Sequence, residues 1–202
     1  MAYIGKNPTS VPLTSSDLAD NIVTVDKLAT TLDLSSNTVT LPSGVGGKVL
    51  QVVSVTKSDT FSNTGAAMVD VTGLSLSITP SSASNKVYLF ANVSISANVR
   101  YLGFKFVRDT TDIGVGDAEG SRARITVSSH RNQSATNDDF VMHNSSATFL
   151  DSPSTTSAIT YKIKAGTDYE SSTLYINRPS QNPDGIYIHR GISTITAYEI
   201  AG

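Results

Sequence analysis

The chain has 202 residues, a formal net charge of -2, no cysteine and no tryptophan. Without cysteine there are no disulfides, thiol nucleophiles or cysteine-based zinc sites, and near-neutrality leaves no basic field to attract nucleic acid or an anionic membrane. No apolar run approaches the roughly 18 residues of a membrane span, and the N-terminus lacks the basic-then-apolar order of an export signal, so neither membrane insertion nor secretion is expected.

Residues 1–15 read as an extended arm. Pro8 and Pro12 block regular structure, and Tyr3, Ile4, Val11 and Leu13 are its only anchors of any size. These four residues are the candidate docking contacts.

Residues 16–47 read as a stalk and hinge. Leu18, Ile22, Val25, Ala29 and Leu32 alternate in spacings of four and three, the seam of a short coiled coil whose single helix needs partners. Thr14 or Ser15 can cap its start, and Asp17 and Asp20 sit where carboxylates complement the helix dipole. The same stripe would also serve one amphipathic helix packed on its own domain, and Thr24, Thr30 and Thr31 weaken a helix in either case. Beyond Ser35 the period changes to two at Thr38, Val39, Thr40 and Leu41, and Gly44, Gly46 and Gly47 form a hinge.

The order of short motifs here carries a resemblance. Met-Ala-Tyr-Ile-Gly-Lys-Asn-Pro at the start is followed by Val11-Pro12-Leu13-Thr14, Asp17-Leu18-Ala19-Asp20, Lys27-Leu28-Ala29 and Thr38-Val39-Thr40-Leu41-Pro42. This region resembles the N-terminal region of tail-fibre and other appendage proteins of tailed bacteriophages, particularly those infecting marine cyanobacteria. The resemblance covers about the first quarter of the chain. It implies a virion protein assembled in the host cytoplasm, a homotrimer whose N-terminal arm attaches to other virion proteins of the tail or neck. Its distal domain would face the host, with a surface glycan or protein as the receptor.

From Lys48 onward the pattern is period-2 with no convincing helix, which predicts a mainly β domain over residues 48–202. Strands are expected at 49–56, at 68–72 and 74–79 (or one strand broken at Gly73), and at 86–99. The last is the clearest, with Val87, Leu89, Ala91, Val93, Ile95 and Ala97 facing inward and Tyr88 and Phe90 on the other face. Residues 100–108 follow, and a bend near Asn98 is expected to fold them against that strand. Further strands are expected at 122–129, 140–143 with 148–150, 158–165, 173–178, 186–190 and 193–200. About ten strands at this spacing predict an antiparallel β-sandwich, jelly-roll-like, serving as the head above the arm and stalk. Phe104, Phe106 and Tyr88 are expected in the core or in a trimer interface.

Polar loops at 109–121, 129–139, 152–157 and 179–185 are candidate contact regions. Asp109, Asp112, Asp117 and Glu119 could hold a hard cation, but their spacing matches no EF-hand and Arg108 and Arg122 could neutralise them instead. Asp138, Asp139, Asp168, Glu170 and Glu199 offer carboxylates for glycoside hydrolysis only on paper, without a tryptophan platform. His130, His143 and His189 lie too far apart to suggest zinc. Ser145 and Ser146 lack a nucleophile-elbow context, and the hinge glycines precede a strand where a phosphate loop needs a helix. No catalytic, cofactor or metal site is therefore assigned, and the expectation is a non-enzymatic adhesive protein. The alternatives are a capsid decoration or neck whisker, and a carbohydrate-binding module whose groove would use Tyr101, Tyr169, Tyr175 and Tyr187.

Overall fold

The computed structural model describes residues 48–98, 101–130, 138–167 and 169–202, which lie within one compact unit, Gly47–Gly202. The arm, stalk and hinge residues named above lie outside the described residues.

Alternation of apolar and polar side chains makes this segment fold as strands. In chain order they are β1 (Val49–Lys57), β2 (Phe61–Thr64), β3 (Val69–Ile78), β4 (Lys86–Ala97), β5 (Tyr101–Arg108), β6 (Thr111–Ile113), β7 (Val127–His130), β8 (His143–Asp151), β9 (Ile159–Thr167), β10 (Thr173–Ile176) and β11 (Ser193–Ile200). All pairings are antiparallel. One sheet has six strands, with β8 on one edge of β4 and β11 then β1 on the other; β10 and β2 continue from the far end of β4. The other has five, ordered β3-β9-β5, with β6 and β7 sharing the free edge of β5.

The sheets face each other as a sandwich, with β1 and β11 over β3 and β10 over β9. The inward face of β4 is buried along its whole length, from Val87 to Ala97, as its alternation requires. Leu74, Leu76, Ile78, Phe104, Phe106, Ile163 and Ala165 meet it from the opposite sheet. Phe104 and Phe106 stack edge-to-face at 6.2 Å, so both belong to the core. Tyr88 does not; it points outward from β4.

Several expected strands differ. Residues 186–190 pair with no strand, because Ile186 and Tyr187 are exposed in a turn and have no sheet edge to join. The expected 122–129 strand is shorter and shifted: the ladder with β5 covers Val127–His130, and Thr126 before it only donates its amide to the Phe104 carbonyl at 3.1 Å. Residues Asp138–Phe140 form a 3-10 turn, and β8 begins at His143 and runs unbroken. The bend near Asn98 carries the chain from one sheet to the other, so β5 does not pair with β4. The expected break at Gly73 is a bulge within a continuous β3, between Asp70 and Ser75. Gly73 has φ +86°, and a Cβ there would approach the Lys57 ammonium at 3.4 Å.

Three polar clusters tie the strand ends together. At one, Asp151 at the end of β8 accepts both hydrogen bonds from Arg108 Nη1 (2.9 and 2.8 Å) and one from the Tyr161 hydroxyl (2.6 Å). Burial, and then this hydrogen bond to a carboxylate, push the Tyr161 phenol far above its ordinary value, so it stays a donor. At the second, Asn177 follows β10 with φ +63° and is wholly buried. Its Nδ2 donates to the carbonyls of Lys57 (2.8 Å) and Asp59 (2.9 Å), and its Oδ1 accepts from Ser193 Oγ at 2.7 Å.

At the third, Glu199 Oε1 accepts from Ser81 N (2.6 Å), Ser81 Oγ (2.7 Å) and Asn85 Nδ2 (2.6 Å), fastening the β3–β4 turn to β11. Burial alone would raise the Glu199 pKa, but these hydrogen bonds more than offset it and leave the carboxyl below its ordinary value. A lowered native pKa adds stability that is complete above the ordinary glutamate value of 4.5 and is lost as pH falls through the native one. The difference in unfolding free energy between wild type and Glu199→Gln should therefore be larger at pH 7 than at pH 3, in denaturant titrations at both. Equal differences would mean that the charge of Glu199 is not what stabilises the turn.

Candidate interaction surface

The two outer faces of the sandwich differ in kind. Across the middle of the five-stranded sheet the outward lysines are paired: Lys162 with Asp70 at 2.7 Å, Lys164 with the same carboxylate at 3.9 Å, and Lys105 with Asp112 at 2.6 Å. This is an ordinary solvated face.

The six-stranded sheet presents the opposite. Cross-strand register aligns Val52, Tyr198, Tyr88 and Leu150 in one row across β1, β11, β4 and β8. The next row is Ser54, Thr196, Phe90 and Thr148, and Val49 and Ile200 flank the first on its other side. Val52 is 55% exposed, Leu150 48%, and Tyr88 and Phe90 37% each, so the first row, with Phe90, Val49 and Ile200 beside it, forms an apolar band open to water. Tyr88 and Tyr198 lie 6.1 Å apart, and with Val49, Phe90 and Ile200 they line a shallow depression. Hydroxyls border it, Ser54 and Thr196 within 2.8 Å of each other. Among the described outward positions of these four strands the one charged side chain is Lys86, and none is acidic.

The other end of the same face is already covered by the chain itself. Ser94 Oγ donates to the Ile192 carbonyl and Ser96 Oγ to that of Arg178, so Arg178 and Ile192 lie over these outward serines. A Cβ on Gly191 would sit 2.7 Å from Ser94 Oγ, which is how closely the cover fits. Ser94 and Ser96 are thus shielded while Tyr88 and Phe90 are partly bare, the reverse of what water alone would favour.

A second feature lies on the five-stranded sheet. Gly103 and Gly166 face each other across β5 and β9 and form part of a cavity of about 160 Å³, bordered by Met68, Tyr101, Ile125 and Ser128. A Cβ on Gly103 would come within 2.5 Å of the Val127 carbonyl, so glycine is required for β7 to lie this close to β5. Tyr101 packs edge-on against His130 at 5.8 Å and is half exposed. Tyr169, Tyr175 and Tyr187 do not border this cavity, and Tyr175 is capped by the Arg178 guanidinium at 3.9 Å. The four tyrosines therefore do not share it as one groove.

The acidic loop is largely engaged. Asp109 accepts from the Thr160 amide at 2.9 Å, Asp112 pairs with Lys105, and Glu119 pairs with Arg122 at 2.8 Å. Arg108 is committed to Asp151. Among the described residues no three His, Asp or Glu side chains converge as metal ligands. Glu199 is held by the β3–β4 turn and faces no second carboxylate in its hydrogen bonds. Alternation along β4 placed Tyr88 and Phe90 opposite the core; Val52, Leu150, Thr196 and Tyr198 join them only through long-range register.

No protein-family model matches the chain, and no curated protein matches it. Among solved structures it is similar to infectious bursal disease virus VP2 in the crystal structure of the VP2 subviral particle, at 14% identity and a TM-score of 0.33, over 75% of this chain and 38% of that one. It is likewise similar to a chain in the structure of the Gx strain of that virus, at 12% identity and a TM-score of 0.32, over 82% of this chain and 42% of the other. The chain spans about two fifths of the length of these structural neighbours.

Proposed function

We propose that this chain is a structural virion protein: a homotrimeric appendage of a tailed phage, a tail fibre or fibre-like, that attaches by residues 1–15 and presents its sandwich for host adhesion. Residues 16–47 supply the trimeric stalk and hinge. The order β8-β4-β11-β1 facing β3-β9-β5 and its edge strand is that of a jelly roll of two four-stranded sheets, which is the head expected at the end of such a stalk.

The observation that carries the oligomeric part of the proposal is the bare, carboxylate-free apolar band on the six-stranded sheet, a surface suited to protein contact within an assembly. The role is adhesive rather than enzymatic. Three head contacts on one rigid particle act at high effective concentration, so individually weak contacts give firm attachment.

Light scattering of the full chain at micromolar concentration should give three times the mass of one chain, and antibodies raised against residues 48–202 should decorate purified phage particles in electron micrographs. A monomer at all concentrations would overturn the trimer, and undecorated particles would overturn the virion assignment.

A second reading, a carbohydrate-binding module, draws on the half-exposed Tyr101 at the neutral cavity on β5 and β9. It expects a monomer whose Tyr101→Ala variant loses binding to a neutral glycan.

A further inference from the structure

We infer that the apolar band on β1, β11, β4 and β8 is covered by the same face of further copies of this chain, so that the heads themselves touch about the trimer axis. This rests on the trimeric reading above and adds the surface through which heads meet.

Four arguments favour a second copy over another partner. The N-terminal stretch outside the described residues ends at Gly47, and β1, which begins two residues later, carries Val49 and Val52 at the border of the band. Copies joined through the preceding 47 residues therefore enter their heads at the strand next to this face.

Charge is the second argument. A face that meets copies of itself must avoid like charges, and this one holds Lys86 at its margin and no carboxylate. Such depletion with aromatic enrichment marks the core of homo-oligomeric interfaces. Third, the face that would be left outermost, on the five-stranded sheet, is the ion-paired and solvated one.

Size is the fourth. Four strands at about 4.8 Å spacing and three row steps of about 6.8 Å give a face of roughly 300 Å². That is well below the ~800 Å² per partner of a stable free-standing interface. Contact of this extent holds only between copies already tethered, where effective concentration replaces affinity. An unrelated partner arriving from solution would need more area than the band offers.

The chain has no cysteine, so single cysteines report contact without background. Thr196→Cys and Leu150→Cys lie in the band, and Lys162→Cys lies on the opposite outer face. Each full-length variant, with its fold checked by circular dichroism and its mass by light scattering, would be treated with a short bismaleimide at low micromolar concentration. The inference expects trimers in which the Thr196 and Leu150 variants cross-link several-fold more than the Lys162 variant. Trimers with equal or absent cross-linking at the band would overturn the head contact and leave the proposed function standing. A monomeric wild type would overturn both.

Discussion

Replacing Asp151 with alanine is expected to lower the unfolding free energy by about 3–5 kcal/mol, the cost of removing one partner from a buried ion pair. The carboxylate serves two sheets at once. Arg108 reaches it from β5 and Tyr161 from β9, while Asp151 itself ends β8 in the opposite sheet. Alanine leaves a guanidinium and a phenol without partners in a site where Tyr161 is fully buried. Tyr161→Phe removes only the hydroxyl and should cost about 1–2 kcal/mol. Changing both charged partners, Asp151→Leu with Arg108→Met, should recover much of the loss, since a buried ion pair is often no better than apolar packing. Urea titrations of the single and double variants measure these differences; an Asp151→Ala variant within about 1 kcal/mol of wild type would show that the pair is effectively solvated.

Asn177→Ala should be nearly as damaging, with a loss of about 3–5 kcal/mol from unpaired buried groups and an unfavourable backbone. The residue joins three strands through side-chain and main-chain bonds: it holds the Lys57 carbonyl at the end of β1, the Asp59 carbonyl just after it and Ser193 at the start of β11, and its N–H donates to the Ser94 carbonyl of β4. At φ +63° any side chain with a Cβ is disfavoured, and asparagine tolerates it best among non-glycine residues. Asn177→Gly relieves the backbone and leaves the carbonyls unpaired, so it should recover about 1 kcal/mol of the alanine loss. If glycine and alanine destabilise equally, the conformation contributes nothing and the hydrogen bonds carry the whole effect.

The elements that were legible in the sequence are those whose pattern is local. Six inward apolar residues at strict alternation announce β4, and β11 and β9 follow the same rule, because burial on one face of a strand repeats every second residue. β2 and β6 are four and three residues long and carry one large apolar residue each, too little for any periodic signal. Residues 186–190 carry the signal without the strand, since alternation states which face could be buried and not whether a partner edge exists.

The polar clusters were invisible for a related reason. Asp151, Glu199 and Asn177 look like surface residues until segments ten or more residues away bring Tyr161, Ser81 or Lys57 to them. The interaction surface was half legible: Tyr88 and Phe90 point outward by alternation alone, whereas Tyr198, Val52 and Leu150 reach the same rows only through register between strands distant in sequence.

The antiparallel pairing of β1 with β11 also sets how the sandwich bears tension. The Ala201 amide donates to the Lys48 carbonyl, so the first residue of the head lies at the end of this ladder, and the ladder runs from there to Lys57 against Ser193. A pull on residue 48 opposed at the far end of the sandwich loads every rung between β1 and β11 in shear, together, and the Asn177 clamp on the Lys57 carbonyl anchors the distal end. A pull opposed at Ala201 would instead peel the rungs one at a time. A sandwich held at its loops and pulled through residue 48 is loaded in the first, stronger geometry.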